Sequence, residues 1–249
     1  MKSKPANKIQ DLQFFGEFGG VNPSISDSST YTFLSANSMS ETFEGNTEGC
    51  YLYSRNSSPS NLYLEEACAA MEGTEAANVF SSGMGAITST ILQLCKSGDH
   101  VISSRTVYGG TYAFLKNFTP QLGVETDFVD ITSLDDIKKL IKPNTKIIYC
   151  EVSSNPLLEI ADIESISEIA KKYNLKLIVD NTFTPLSVSP AKNGADIVIH
   201  SLTKFINGTS DTIAGVVCSD KEFIHSLRDV NDGAFMLLGA TMDSLRAAS

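Results

Sequence analysis

The chain has few of the residues that build metal centres or disulfide frameworks. Its five cysteines (Cys50, Cys68, Cys95, Cys150 and Cys218) are odd in number, scattered and never spaced CxxC, and only His100, His200 and His225 accompany them. No metal site is expected, and the cysteine usage points to a reducing compartment. Basic residues are also scarce, with 19 Lys and Arg against 29 Asp and Glu for a net charge of −10. That sign repels phosphodiester backbones and anionic lipid, so neither a nucleic-acid nor a membrane partner is expected. No uncharged apolar run reaches the roughly 18 residues of a membrane span. Met1-Lys2-Ser3-Lys4-Pro5 has positive charge but no apolar stretch behind it, unlike a secretory signal. Internal repeats and low-complexity tracts are absent. No apolar run is followed by three spaced glycines, which argues against a nucleotide-binding Rossmann-like domain. With 249 residues, 42% hydrophobic and 19% charged, a globular, cytoplasmic protein is expected.

What is present divides into two parts. Residues 1–60 read as an N-terminal arm, irregular and rich in Gly, Ser, Asn and Thr from residue 19, with the aromatics Tyr31, Phe33, Phe43, Tyr51 and Tyr53. Those aromatics suggest that the arm docks on something. Residues 61–249 read as one α/β domain. Ser60 is the expected cap of a helix carrying Tyr63, Ala67, Ala70 and Met71 and ending at Gly73. Short apolar runs follow at 78–80, 101–103, 126–129, 146–149, 175–179, 196–199 and 215–218. Helical segments separate several of them, among them 133–141, opened by Ser133 and Asp136, and 162–173, with Ile163, Ile166, Ala170 and Tyr173 on one face. This alternation implies a mostly parallel sheet flanked by helices.

Ligands of such sheets sit beyond the carboxyl ends of the strands. After Val79-Phe80 come Ser81-Ser82-Gly83-Met84-Gly85, small residues opening a helix whose free N–H groups suit a phosphate. Alone, such a turn is more often a tight connection. Glu151 follows Ile147-Ile148-Tyr149, and Asp180 follows Leu177-Ile178-Val179. A carboxylate there is costly without a cation, although a lone Asp is usually a cap. His200-Ser201-Leu202-Thr203-Lys204 follows Ile197-Val198-Ile199, and a lone lysine so placed is usually a solvated end. Together the three features are what pyridoxal 5'-phosphate (PLP) requires. A lysine bonds the aldehyde, a carboxylate keeps the pyridine nitrogen protonated, and N–H groups with hydroxyls hold the phosphate.

The ordered motifs Tyr53-Ser54-Arg55, Ser82-Gly83-Met84, Tyr108-Gly109-Gly110-Thr111, Asn155-Pro156, Asp180-Asn181-Thr182 and Ser201-Leu202-Thr203-Lys204 make the chain resemble the Cys/Met-metabolism family of PLP enzymes. That family includes cystathionine γ-synthase, the cystathionine lyases, methionine γ-lyase and O-acylhomoserine sulfhydrylases. The resemblance implies an aspartate-aminotransferase-like large domain. It makes Lys204 the Schiff-base lysine, Asp180 the partner of the ring nitrogen, and Tyr108 a stacking aromatic able to act as acid or base. It places Gly83, Met84, Ser201 and Thr203 on the phosphate and Asn155 on the ring hydroxyl. Tyr53 and Arg55 would reach the phosphate of a neighbouring subunit, implying a homo-oligomer, a dimer or tetramer.

There are departures. Gly110 stands where methionine γ-lyases usually carry cysteine, Thr209 where a histidine is common, and Ser58 and Ser60 flank Pro59 in place of Asn and Thr. Family members also continue into a C-terminal substrate domain, so the expectation is a truncated chain with that domain absent. The implied function is a PLP-dependent carbon–sulfur lyase or transsulfuration enzyme acting at the γ (or β) carbon of sulfur amino acids. The alternatives are a catalytically silent PLP-binding domain and an O-acetylhomoserine sulfhydrylase.

Overall fold

Each of the seven apolar runs forms a strand of one sheet. A computed structural model describes residues 4–10, 12, 16–33, 35–44 and 49–248. The strands are β1 (Ala76–Phe80), β2 (His100–Ser104), β3 (Glu125–Val129), β4 (Thr145–Glu151), β5 (Lys176–Asp180), β6 (Ile197–His200) and β7 (Gly215–Ser219). Their spatial order is β1-β7-β6-β5-β4-β2-β3. From β3 to β6 the pairing is parallel, whereas β7 runs antiparallel to both β6 and β1. Parallel neighbours need a crossover; residues 201–214, between β6 and β7, form turns instead of a helix, and those two strands pair antiparallel.

The helices are α1 (Pro5–Gln10), α2 (Ala36–Phe43), α3 (Pro59–Glu72), α4 (Gly83–Leu94), α5 (Gly109–Ala113), α6 (Leu134–Leu140), α7 (Ile163–Lys172), α8 (Lys221–Arg228), α9 (Ala234–Leu238) and α10 (Ser244–Ala247). Alternate residues of β4 point to opposite faces and divide the core. Ile147 and Tyr149 pack with Ile87 and Ile91 of α4 and Leu227 of α8. Ile148 and Cys150 pack with Ile137 of α6 and Ile166 and Ile169 of α7. On β6 and β7, Val198 and Val216 join Cys68 and Ala69 of α3. Burial on both faces is why the central strands read as unbroken apolar runs.

Three local expectations are corrected. Ser58, not Ser60, caps α3, its side chain accepting from the Asn61 N–H at 3.3 Å. Pro59, which has no N–H to lose and a fixed φ, fits the first helical position and moves the cap back. The arm is not wholly irregular, because Ser35 and Ser38 form a reciprocal cap that starts α2, whose apolar Ala36, Met39 and Phe43 stay exposed. Tyr173 is the C-cap of α7 and is exposed instead of joining its buried face. Among the described residues no cluster of His, Cys, Asp and Glu could hold a metal ion, and no helix is long and apolar enough to cross a membrane.

Candidate active site

The carboxyl ends of β4, β5 and β6 and the start of α4 enclose a cavity of ≈ 990 Å³. At one side, Ser82 caps α4, its hydroxyl accepting from the Gly85 N–H at 2.9 Å and its carbonyl from the Ala86 N–H at 3.1 Å. The N–H groups of Gly83 and Met84, first in the helix, have no intrahelical acceptor within reach. Glycine is required at 83 because a Cβ there would lie 2.7 Å from Cβ of Ser201. The helix start and the turn after β6 therefore meet closely, and Gly83, Met84, Ser201, Thr203 and Lys204 share the cavity wall.

Asp180, at the end of β5, is buried and faces this cavity. Its Oδ1 accepts the Thr182 N–H at 2.9 Å and its Oδ2 the Tyr149 hydroxyl at 3.3 Å. Burial raises its pKa, against the opposing pull of the Thr182 hydrogen bonds, of His200 and of Tyr149. Thr182 also accepts the Ser201 N–H at 2.7 Å, tying the end of β5 to the end of β6. The Thr203 hydroxyl donates to the Ala214 carbonyl at 3.2 Å and accepts the Ala214 N–H at 3.0 Å, so part of its capacity serves the start of β7. Lys204 is exposed on the cavity rim and forms no ion pair with a described residue.

Glu151 ends β4 directly beside Asp180 in the register. It accepts the Tyr108 N–H at 2.7 Å. Burial, and then the charge of Asp180, push its carboxyl up to about 7. Tyr108 is 60% exposed, and its ring lies so near Gly110 that a Cβ there would meet its Cε1 at 2.6 Å. Asn155 also lines the cavity, and Phe183 and Phe205 meet edge-to-face at its rim, 5.7 Å between centroids.

Tyr53 and Arg55 do not line this cavity. Arg55 donates from Nη1 to the Met236 carbonyl at 2.9 Å, with its guanidinium 5.6 Å from the Tyr53 ring centroid. Of the ten residues singled out from the sequence, the fold thus gathers Lys204, Asp180, Tyr108, Asn155, Gly83, Met84, Ser201 and Thr203 and leaves these two apart. Sequence reasoning passed over Thr182 and Glu151 as site residues. Glu151 had left the same signal as Asp180, a carboxylate closing an apolar run.

The sequence pattern of the Cys/Met metabolism PLP-dependent enzymes matches residues 8–247. The chain belongs to this family. It is 44% identical over 246 residues to a methionine gamma-lyase of Arabidopsis thaliana, covering 96% of this chain and 56% of that protein. It is 46% identical over 191 residues to a cystathionine gamma-lyase of Bacillus subtilis, covering 76% and 50%. Thus the chain spans about half the length of the curated relatives it matches. Among solved structures, metB from Corynebacterium glutamicum superposes with a TM-score of 0.88 at 30% identity, covering 99% of this chain and 62% of that one. A putative O-acetylhomoserine (thiol)-lyase (metY) from Campylobacter jejuni gives 0.89 at 28% identity, covering 99% and 69%, and carries N'-pyridoxyl-lysine-5'-monophosphate.

The cofactor of the family fits the residues present. A helix start whose first N–H groups have no intrahelical acceptor, a buried carboxylate and a lysine, neither ion-paired among the described residues, open on one cavity of suitable size.

Proposed function

We propose that this chain is the N-terminal arm and PLP-binding domain of a cytoplasmic enzyme that works at the γ (or β) carbon of sulfur amino acids. The activity is a carbon–sulfur lysis or transsulfuration of the methionine γ-lyase or cystathionine lyase and synthase kind. The observation that carries the reading is the convergence of Lys204, Asp180 and the first turn of α4 on one cavity. When bound, PLP supplies an electron sink that acidifies the Cα–H of an attached amino acid.

The residues then divide the work. The Gly83 and Met84 N–H groups and the Ser201 hydroxyl would bind phosphate oxygens, and Thr203, whose hydroxyl proton goes to the Ala214 carbonyl, would join them by giving up that bond. Asp180 holds a proton on the ring nitrogen, which in turn gives its buried charge a partner. Asn155 would donate to the ring hydroxyl, and Tyr108 would cover the ring and assist proton transfer. Lys204 would hold the cofactor through its aldehyde and, as an amine on the cavity rim, would be the base able to take the Cα proton and pass it onward. Loss of the γ substituent followed by hydrolysis gives a 2-oxo acid and ammonia, whereas capture by a thiol gives a new thioether.

Assays with methionine, with cystathionine and with O-acetylhomoserine plus sulfide test the reading. Formation of a 2-oxo acid from either of the first two supports lysis. Product only from the third would replace it with a sulfhydrylase. PLP binding with no turnover would instead favour a silent binding domain.

Tyr53 and Arg55 are assigned to the phosphate site of a neighbouring copy, in a homodimer or tetramer. Lys204→Ala and Arg55→Ala proteins mixed after subunit exchange should recover part of the cofactor's visible absorbance, because one site of the mixed dimer has neither defect. No recovery despite demonstrated exchange would return Arg55 to its own subunit.

A further inference from the structure

We propose that Glu151 is a positioning residue of this site: its carboxylate holds Tyr108 at the cavity mouth through the backbone N–H, and the charge of the neighbouring Asp180 sets how firmly it holds. The inference rests on the PLP reading for what fills the cavity, but its two contacts belong to the chain itself.

Glu151 and Asp180 are paired residues of parallel neighbours, so their side chains leave the same face of the sheet side by side. Both line the cavity. Tyr108 sits where the chain turns from β2 into the short helix α5. Its ring is largely exposed, so backbone contacts locate it: its N–H to Glu151 at 2.7 Å and its carbonyl to the Tyr112 N–H at 2.9 Å. Two adjacent carboxylates resist ionising together. A protonated Glu151 is a weak acceptor, and an ionised one is a strong, charge-assisted acceptor.

A cation set against Asp180 lifts the repulsion and lets Glu151 ionise. Filling the cavity with a protonated pyridine would therefore tighten the hold on the aromatic meant to cover it. The other groups around Glu151 do not compete for this role. Tyr149 and Cys150 on its own strand are kept neutral by burial, Lys204 lines the same cavity but forms no ion pair with a described residue, and His200 acts on Asp180.

The chain contains no tryptophan, so Tyr108→Trp places a sole indole at the mouth. In the cofactor-free protein its emission should change once between pH 5 and 9, with a midpoint near 7. Adding Glu151→Gln, which keeps an acceptor oxygen but cannot titrate, should flatten the curve. Adding Asp180→Asn should lower the midpoint by about one pH unit. A midpoint unchanged by either substitution, or no transition with Glu151 intact, overturns the proposal.

Amide exchange of Tyr108 in the unsubstituted chain is a second measurement that needs no variant. Its protection, corrected for intrinsic rates, should rise through pH 7, and a flat profile also overturns the proposal. Added PLP should lower that exchange midpoint as Asp180→Asn does. If PLP gives no visible absorbance with the chain, the cofactor reading fails, while the cofactor-free titrations still decide the role of Glu151.

Discussion

At the amino edge of the sheet, His100 is wholly buried, yet both ring nitrogens have partners: Thr145 Oγ1 at 2.8 Å and Asp127 Oδ2 at 3.2 Å. Asp127 in turn holds Lys142 at 2.7 Å, and that hydrogen bond keeps its carboxyl below the usual range. At the carboxyl edge, a buried acid, Asp180, and a half-buried one, Glu151, stand side by side with no basic side chain hydrogen-bonded to either among the described residues, and Lys204, which forms no ion pair with a described residue, lines the same cavity. One sheet thus carries a closed charge network at its amino edge, on β2, β3 and β4, and an open one at its carboxyl edge, on β4 and β5. An edge built for stability satisfies its charges internally, whereas one built to receive a cationic, anionic and aldehyde-bearing ligand leaves complementary groups unspent.

The largest effect that tests this contrast is expected at Lys204. Lys204→Ala should abolish the visible absorbance and borohydride-fixed attachment of PLP while changing fold stability by less than about 0.5 kcal/mol, since the residue is exposed and forms no ion pair with a described residue. Retained attachment would assign the aldehyde to another lysine. Next, Asp180→Asn should weaken PLP binding by about 10- to 100-fold, the range of a hydrogen bond to a charged group. It should leave the cofactor-free fold equally stable or firmer, because the substitution removes a buried charge. Titration calorimetry and urea unfolding of the same variant check both halves, and a destabilised fold would make Asp180 a structural cap.

The two edges should also respond to pH with opposite signs. Glu151 ionises near 4.5 when unfolded and at about 7 when folded. The unfolded chain therefore loses its proton first, and stability falls as pH rises between those values, by on the order of 3 kcal/mol. His100 is held below its ordinary 6.5 by burial, then by Lys142. Its contribution is present above 6.5 and is lost as pH falls below that. Urea unfolding across pH 4.5–8 should show the Glu151 slope vanish in Glu151→Gln; an unchanged slope would assign it elsewhere. The smallest effect is expected at Asp127→Asn, less than about 1 kcal/mol because solvent screens the half-exposed Lys142 pair. A larger loss in urea would mean that burial of His100 depends on that charge.

The sequence by itself determined the strands, because a sheet covered on both faces demands runs such as Ile147-Ile148-Tyr149-Cys150 and Leu177-Ile178-Val179, and nothing else here tolerates them. It also determined Asp180 and Lys204 as candidates, since each follows such a run where strands end at a cleft. Local chemistry was less legible where two rules competed. Pro59 claimed the first helical turn and displaced the cap from Ser60 to Ser58, and Ser35 with Ser38 started α2 inside a Ser- and Thr-rich stretch that reads as irregular. Only the tertiary structure decided what the strand ends do to one another. The antiparallel return of β7, the approach of Ser201 to Gly83, and the register that sets Glu151 against Asp180 depend on strand order. Strand order is a property of pairs far apart in the chain, and no local pattern of apolar and polar residues encodes which carboxylate will lie beside which.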